Sequence, residues 1–125
     1  MLLGNVARYK NEVYCFVEDI ILAKTTGDPA FVEISREMWA DIHQVIAQKN
    51  SIFETTHQLA IVGWFHTHPN GLLVFMSGTD MNTQRLNFSQ TWQASLVMNP
   101  HTNKYRAFFG ADATEGRIVF PGVQG

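Results

Sequence analysis

The order of predicted strands and helices along the 125 residues indicates an α+β fold around one central sheet. Three observations support this prediction. Several short segments are rich in β-branched and aromatic residues, one segment has apolar residues at helical spacing, and a second short helix follows a glycine-containing loop. A chain of this length has room for one hydrophobic core, so we expect a single domain over residues 1–125.

The first half of the chain is predicted to form strands followed by a helix. Residues 13–23 (VYCFVEDIILA) predict one or two strands that bend near Glu18 and Asp19. Residues 31–34 predict a short strand. Ser35 stands where a helix N-cap is expected. Apolar residues then recur every three or four positions up to about Lys49, which predicts an amphipathic helix: Met38, Trp39, Ile42, Val45 and Ile46.

The second half alternates strands with one short helix. Residues 59–65 (LAIVGWF) form a continuous apolar run, which is typical of a strand buried on both faces. A short helix is predicted at residues 80–88. Residues 94–98 and 105–109 predict a hairpin around an Asn-Pro-His-Thr-Asn turn, and residues 118–120 predict an edge strand.

Composition argues against several classes of function. The net charge of −2 disfavours a protein that binds the phosphate backbone of nucleic acids. Cys15 is the only cysteine, which excludes an intrachain disulfide and makes a reducing, cytoplasmic location the default expectation. The apolar runs are too short to span a membrane, and the first residues lack the pattern of a signal peptide. We therefore expect neither a nucleic-acid partner nor a membrane partner.

Residues that bind metals and handle protons concentrate between positions 64 and 80. If the strand that ends near Phe65 continues, His66 and His68 project from the same side of it. Asp80, at the start of the next helix, can bring its carboxylate to the same point. Two imidazoles, one carboxylate and an open fourth position describe a catalytic zinc site that activates a water molecule. Ser77 could donate a hydrogen bond to the oxyanion of a tetrahedral intermediate.

Each of these residues also has an ordinary structural interpretation. Two histidines at positions i and i+2 arise by chance on protein surfaces, Asp80 alone fits a helix N-cap, and Ser77 alone fits a loop. Their combination after a buried strand favours the metal site. We expect none of the remaining histidines to be a ligand: His43 should face solvent, and His57 and His101 should lie in loops. Cys15 is expected to be a small buried residue, and the three tryptophans are expected to form core or pocket wall.

The segments His66-Thr67-His68-Pro69 and Ser77-Gly78-Thr79-Asp80 resemble the JAMM motif of the MPN-domain metallopeptidases, in particular the bacterial type. That motif is His-x-His, usually followed by proline, and then a serine with an aspartate three residues later. Gly63-Trp64-Phe65 is similar to the family's approach strand. The helix around Trp39 and the strand at residues 94–98 also fall where the family's fold places them, so the resemblance covers nearly the whole chain.

The resemblance implies both a fold and an activity. The fold is a cytidine-deaminase-like domain with a central, mixed, curved sheet flanked by helices. The activity is zinc-dependent hydrolysis of amide or isopeptide bonds, with ubiquitin-like proteins or sulfur-carrier proteins as conjugated substrates. By position, His66, His68 and Asp80 would bind zinc and Ser77 would stabilise the oxyanion.

The family's fifth functional residue is a glutamate that acts as general base. Leu2-Leu3-Gly4 resembles the end of the stretch that follows this glutamate, so the glutamate and the family's first helix would fall before Met1. Glu12, Glu18, Glu33 and Glu54 do not stand in a matching context. We therefore expect an N-terminally truncated domain, either a fragment of a longer enzyme or a shortened protein. Loss of the helix would uncover apolar sheet surface and favour homo-oligomers.

Two functional hypotheses follow. The first is a zinc peptidase or isopeptidase, which the intact His66, His68 and Asp80 set favours. The second is a non-catalytic MPN scaffold, or a module that binds a ubiquitin-like tail, which the missing glutamate favours because a positioned general base typically contributes about 10²–10⁴-fold to the rate.

Overall fold

The computed structural model describes residues 1–22, 34–52, 58–68, 71 and 73–119. These residues form the following elements in chain order: β1 (Leu2–Tyr9), β2 (Glu12–Ile20), α1 (Arg36–Asn50), β3 (Ala60–Thr67), α2 (Gly78–Asn87), β4 (Ala94–Asn99), β5 (Lys104–Phe109) and β6 (Thr114–Gly116). The mixture of helices with a hydrogen-bonded sheet confirms the predicted α+β class. The chain divides into two compact units, Met1–Gly63 and Trp64–Gly125.

The first unit contains a hairpin of β1 and β2, and β1 also pairs antiparallel with the beginning of β3. Lys10 and Asn11 form the two-residue loop of the hairpin, and both have positive φ angles (48° and 65°), as expected for a type I′ turn. The pairing shifts register where Leu3 faces Asp19 and Gly4 faces Val17, which leaves Glu18 as the extra residue of a bulge. The predicted bend near Glu18 is this bulge, within one continuous strand.

Helix α1 begins and ends close to where the sequence predicts. Its N-cap is Ser35, whose hydroxyl accepts a hydrogen bond from the backbone N–H of Met38 at 3.1 Å. Ile42 and Ile46 are buried one turn apart, which fits the predicted apolar stripe.

The second unit contains the end of β3, helix α2 and the strands β4, β5 and β6, with β4–β5 and β5–β6 pairing antiparallel. The β4–β5 turn is stabilised by Asn99, whose side-chain oxygen accepts hydrogen bonds from the backbone N–H groups of His101 (2.9 Å) and Thr102 (3.3 Å). Val74, Val97 and Phe108 form a buried apolar cluster in this unit.

One strand prediction was wrong, a second lies mostly outside the described residues, and one strand was not predicted. The final strand is Thr114–Gly116, where β6 pairs with β5, whereas Ile118 and Val119 are not in a strand. Ile34 is likewise outside any strand, and the rest of the predicted strand at residues 31–33 lies outside the described residues. Strand β1 was not predicted, because its residues from Asn5 to Tyr9 are largely exposed and carry no apolar run.

No helix in the described part of the chain is long and apolar enough to cross a membrane.

We predict that Gly4→Ala destabilises the protein. A Cβ atom at Gly4 would overlap the backbone carbonyl oxygen of Phe16, so β1 and β2 would have to move apart at the bulge. The expected loss is about 1–3 kcal/mol of unfolding free energy, measured by chemical denaturation. Gly78→Ala is the matched control, because a Cβ there meets no atom within 4 Å. Equal stability of the two variants would contradict the prediction.

Candidate metal centre

The two histidines of the predicted site lie where β3 ends. Strand β3 continues through Thr67, so His66 is within the strand and His68 follows directly after it. The backbone N–H of His68 donates to the carbonyl of Met98 at 2.9 Å, which fixes the main chain at this point. Residues two apart in extended backbone project from the same side, and both imidazoles do so here, with ring centroids 5.2 Å apart.

Helix α2 places the carboxylate. Ser77 is its N-cap and Asp80 its N3 residue, and the two form a reciprocal capping box. The backbone N–H of Asp80 donates to Ser77 Oγ at 3.1 Å, and Asp80 Oδ2 accepts from the backbone N–H of Ser77 at 3.0 Å. The alternative that Asp80 is itself the N-cap is therefore wrong, since Ser77 occupies that position. The capping box holds the Asp80 carboxylate at one orientation.

The three side chains converge on one point. Asp80 Oδ2 lies 3.0 Å from His66 Nε2 and 3.2 Å from His68 Nε2. One ligand atom from each residue lies within 4.8 Å of the others, and the side chains are only 9%, 12% and 14% exposed for His66, His68 and Asp80. Ligands held at about 2.0–2.1 Å by a tetrahedral zinc ion lie about 3.3 Å from one another, so these atoms need to move only slightly to bind one.

The hydrogen bonding of the two imidazoles tests whether they suit a metal. His68 Nδ1 lies 2.9 Å from the carbonyl oxygen of Leu73, which makes Nδ1 the protonated nitrogen and turns the Nε2 lone pair toward Asp80. Both nitrogens of His66 are buried without a hydrogen-bond partner among the described residues, although Asp80 Oδ2 lies 3.0 Å from Nε2. A buried nitrogen without a partner is costly unless it binds something, so the donor set fits zinc.

The electrostatics of the site favour an ionised carboxylate. Burial raises the pKa of Asp80, but the adjacent His66 imidazole and the hydrogen bonds with Ser77 outweigh burial and hold that pKa at about 2. The N-terminus of α2 also favours a negative charge in its first turn. Asp80 is thus ready to bind a cation at neutral pH.

Two further residues border the site, and of these Gln84 was not predicted from the sequence. Gln84, on α2, is fully buried, and its Oε1 accepts a hydrogen bond from Trp64 Nε1 at 2.7 Å. Phe75 contacts the His68 ring edge-on, with centroids 5.2 Å apart. The position of Gln84 four residues after Asp80 is the signal that could have identified it, because both then share one helix face.

An open cleft of about 520 Å³ is lined in part by Leu73 and Phe75, the two residues that contact His68. Arg106 forms part of its wall and is fixed by a hydrogen bond from Nη1 to the carbonyl of Val74 (2.9 Å) and by two hydrogen bonds to Glu115. The surface of the cleft is mostly apolar. It is lined by Leu73, Val74, Phe75, Asn103, Lys104, Tyr105 and Arg106.

None of the other histidines among the described residues, nor Cys15, joins the metal-ligating group. His43 and His101 are exposed, and His57 lies outside the described residues. Burial raises the pKa of the Cys15 thiol to about 11, so this cysteine is an unreactive, partly buried residue as expected. Trp64 is buried and stacks on His66, which confirms its predicted role as core or wall.

We predict that Asp80 contributes to the pH dependence of stability in the metal-free protein. Its pKa is about 2 in the folded state and about 3.9 in an unfolded chain. A folded-state pKa below the unfolded value gives stability that is fully present above about pH 4 and is lost as the pH falls toward 2. The stability difference between the wild type and Asp80→Asn, measured by denaturant titration, should therefore shrink over this interval.

Asp112→Asn is the control for this titration, because Asp112 is exposed in the turn before β6. A difference between wild type and Asp80→Asn that stays constant from about pH 5 to pH 2 would contradict the assignment.

Comparison with known proteins identifies the family. The family model described as JAB1/Mov34/MPN/PAD-1 ubiquitin protease matches residues 29–91, a range that contains all four predicted site residues. The chain is also 31% identical over 105 residues to COP9 signalosome complex subunit 5 of Candida glabrata, in an alignment that covers 83% of this chain and 22% of that protein. The chain thus spans about a fifth of the length of this relative. The predicted MPN-family resemblance is confirmed, while its bacterial type stays a prediction. The chain belongs to the JAB1/Mov34/MPN/PAD-1 ubiquitin protease family.

Proposed function

We propose that this chain is the zinc-dependent hydrolase domain of a peptidase or isopeptidase. The observation that carries the proposal is the convergence of His66, His68 and Asp80, with one carboxylate oxygen 3.0 and 3.2 Å from the two imidazole nitrogens. A site of two imidazoles and one carboxylate leaves a coordination position for water or substrate, as catalytic zinc sites do.

Each site residue has a separate role in the proposed reaction. His66, His68 and Asp80 would hold the zinc ion, which when bound supplies a Lewis acid that activates water and polarises a carbonyl group. Ser77 uses its hydroxyl oxygen as an acceptor in the capping box, and no hydrogen bond among the described residues uses its O–H proton. That proton is available to donate to the oxyanion of the tetrahedral intermediate.

The substrate that we propose is a protein conjugate with a ubiquitin-like protein. The family is described by its action as a ubiquitin protease, and the relative from Candida glabrata is named as a subunit of a larger complex. The open cleft is lined by Leu73 and Phe75, which also contact His68, and its mostly apolar surface suits an extended peptide segment. A multiprotein complex is accordingly the proposed partner.

A second candidate function is a non-catalytic MPN scaffold or a module that binds a ubiquitin-like tail. One observation favours it: within the described residues, no glutamate joins the group of metal-ligating side chains. The first proposal accordingly assigns the general base to no described residue. Hydrolysis of a ubiquitin-like conjugate by the zinc-loaded protein supports the peptidase, whereas binding of the tail without turnover supports the module.

We predict that the protein binds about one equivalent of zinc and that His66→Ala and Asp80→Ala weaken this binding strongly. The measurement is equilibrium dialysis followed by metal analysis. His43→Ala is the control, because His43 is exposed on α1 and should leave the stoichiometry unchanged. A wild-type protein that stays metal-free under zinc-replete conditions would rule out the metal site.

We also predict that Ser77→Ala lowers kcat on a cleavable conjugate by about 10²–10³-fold while zinc affinity changes little. The variant also loses a helix cap, which costs about 1 kcal/mol of stability. Ser35→Ala is the matched control, since it removes the corresponding cap of α1, where the Ser35 hydroxyl accepts from the backbone N–H of Met38. Equal losses of kcat in the two variants would assign the effect to stability alone.

A further inference from the structure

The amide of Gln84 is completely buried and has a single permitted orientation. Its Nε2 donates to the carbonyl oxygens of Phe88 (3.0 Å) and Gln93 (3.1 Å), and its Oε1 accepts from Trp64 Nε1 (2.7 Å). The two carbonyl groups can only accept and the indole N–H can only donate, so rotating the amide by 180° would break all three bonds. Gln84 therefore holds the indole of Trp64 at a fixed point.

The same two elements that build the metal site also build this contact. Trp64 and His66 are two residues apart on β3, so their side chains share one side of the strand. Asp80 and Gln84 are four residues apart on α2, so they share one helix face. Helix α2 thus contacts β3 twice in succession, through Asp80 at the proposed metal ligands and through Gln84 at Trp64.

The indole of Trp64 in turn fixes the plane of one metal ligand. Trp64 is 3% exposed, and its ring stacks on His66 with centroids 4.4 Å apart and planes 18° apart. Its ring also stacks on Phe88, with centroids 5.8 Å apart. The indole cannot rotate without breaking the bond to Gln84, so its face constrains the His66 imidazole.

His66 needs such a constraint more than His68 does. Metal-binding histidines usually use their second nitrogen in a hydrogen bond that fixes the ring, and His68 does so with the Leu73 carbonyl. Within the described residues, His66 Nδ1 has no such partner. We propose that Gln84 is a positioning residue of the metal centre, which acts through the Trp64 indole to orient His66 in place of that missing hydrogen bond. This inference rests on the metal site proposed above.

The primary experiment measures the Kd for Zn²⁺ by competition with a chromophoric chelator. Gln84→Met preserves side-chain volume and removes all three hydrogen bonds, and we expect it to raise Kd by about 10–100-fold. Trp64→Phe retains an aromatic ring but removes the N–H donor, and we expect a smaller increase in the same direction. Because both changes break the same bond, their effects in the double variant should be less than additive.

Asn99→Leu is the matched control. Asn99 is a second fully buried amide, and its side-chain oxygen accepts the two hydrogen bonds that stabilise the β4–β5 turn. We expect this variant to lose stability comparably while its Kd for Zn²⁺ changes by less than about twofold. An equal rise in Kd for Asn99→Leu and Gln84→Met would overturn the proposal, because the effect would then follow from general destabilisation.

Two further readouts test the route through His66. The visible d–d absorption of Co²⁺ bound in place of Zn²⁺ should change in Gln84→Met, since it reports the ligand geometry. In a His66→Ala background, Gln84→Met should alter the residual zinc affinity by less than about twofold. If the wild type binds zinc and Gln84→Met binds it equally well, the positioning role is wrong. If the wild type binds no zinc, the proposed function fails instead.

Discussion

One oxygen atom, Oδ2 of Asp80, receives three contacts that organise the candidate site. The backbone N–H of Ser77 donates to it at 3.0 Å, and the Nε2 atoms of His66 and His68 lie 3.0 and 3.2 Å away. The first contact belongs to the helix cap and the other two to the metal-ligand group. The start of α2 is therefore coupled to the end of β3 through a single carboxylate.

The low exposure of this group accounts for its chemistry. With 9–14% of each side chain exposed, the polar atoms have lost most of their contact with water and depend on one another. The pKa of Asp80 stays at about 2 despite burial because the His66 imidazole and the Ser77 hydrogen bonds stabilise its charge. A cation placed among these atoms would satisfy the carboxylate and the buried Nε2 of His66 together.

The two imidazoles are supported in different ways. His68 is held by a backbone carbonyl, which is a rigid acceptor supplied by the loop segment that also borders the cleft. His66 lies against the Trp64 ring, and that ring is anchored by a buried amide whose hydrogen bonds are all satisfied. Support by stacking restricts the plane of the imidazole and leaves Nε2 free to bind a metal.

Local sequence signals determined much of this molecule. The N-cap Ser35 and the apolar spacing after it predicted α1, the apolar run of residues 59–65 predicted β3, and the spacing of His66, His68, Ser77 and Asp80 predicted the site residues. Helix caps and apolar spacing depend on residues that are close together in the chain, so they can be recognised from the sequence alone. Strand β1 and the short strand β6 lacked such signals because the residues of β1 from Asn5 to Tyr9 are largely exposed and β6 has only three residues.

Only the tertiary structure decided how those residues act together. It assigned the N-cap of α2 to Ser77 and the N3 position to Asp80, and it paired the Leu73 carbonyl with His68. It also brought Gln84 to Trp64 across 20 residues of sequence. The distances and angles of these contacts depend on how a strand end and a helix start pack against each other, which no local pattern specifies. The sequence by itself thus named the candidate metal ligands, and the packing of α2 on β3 determined their geometry.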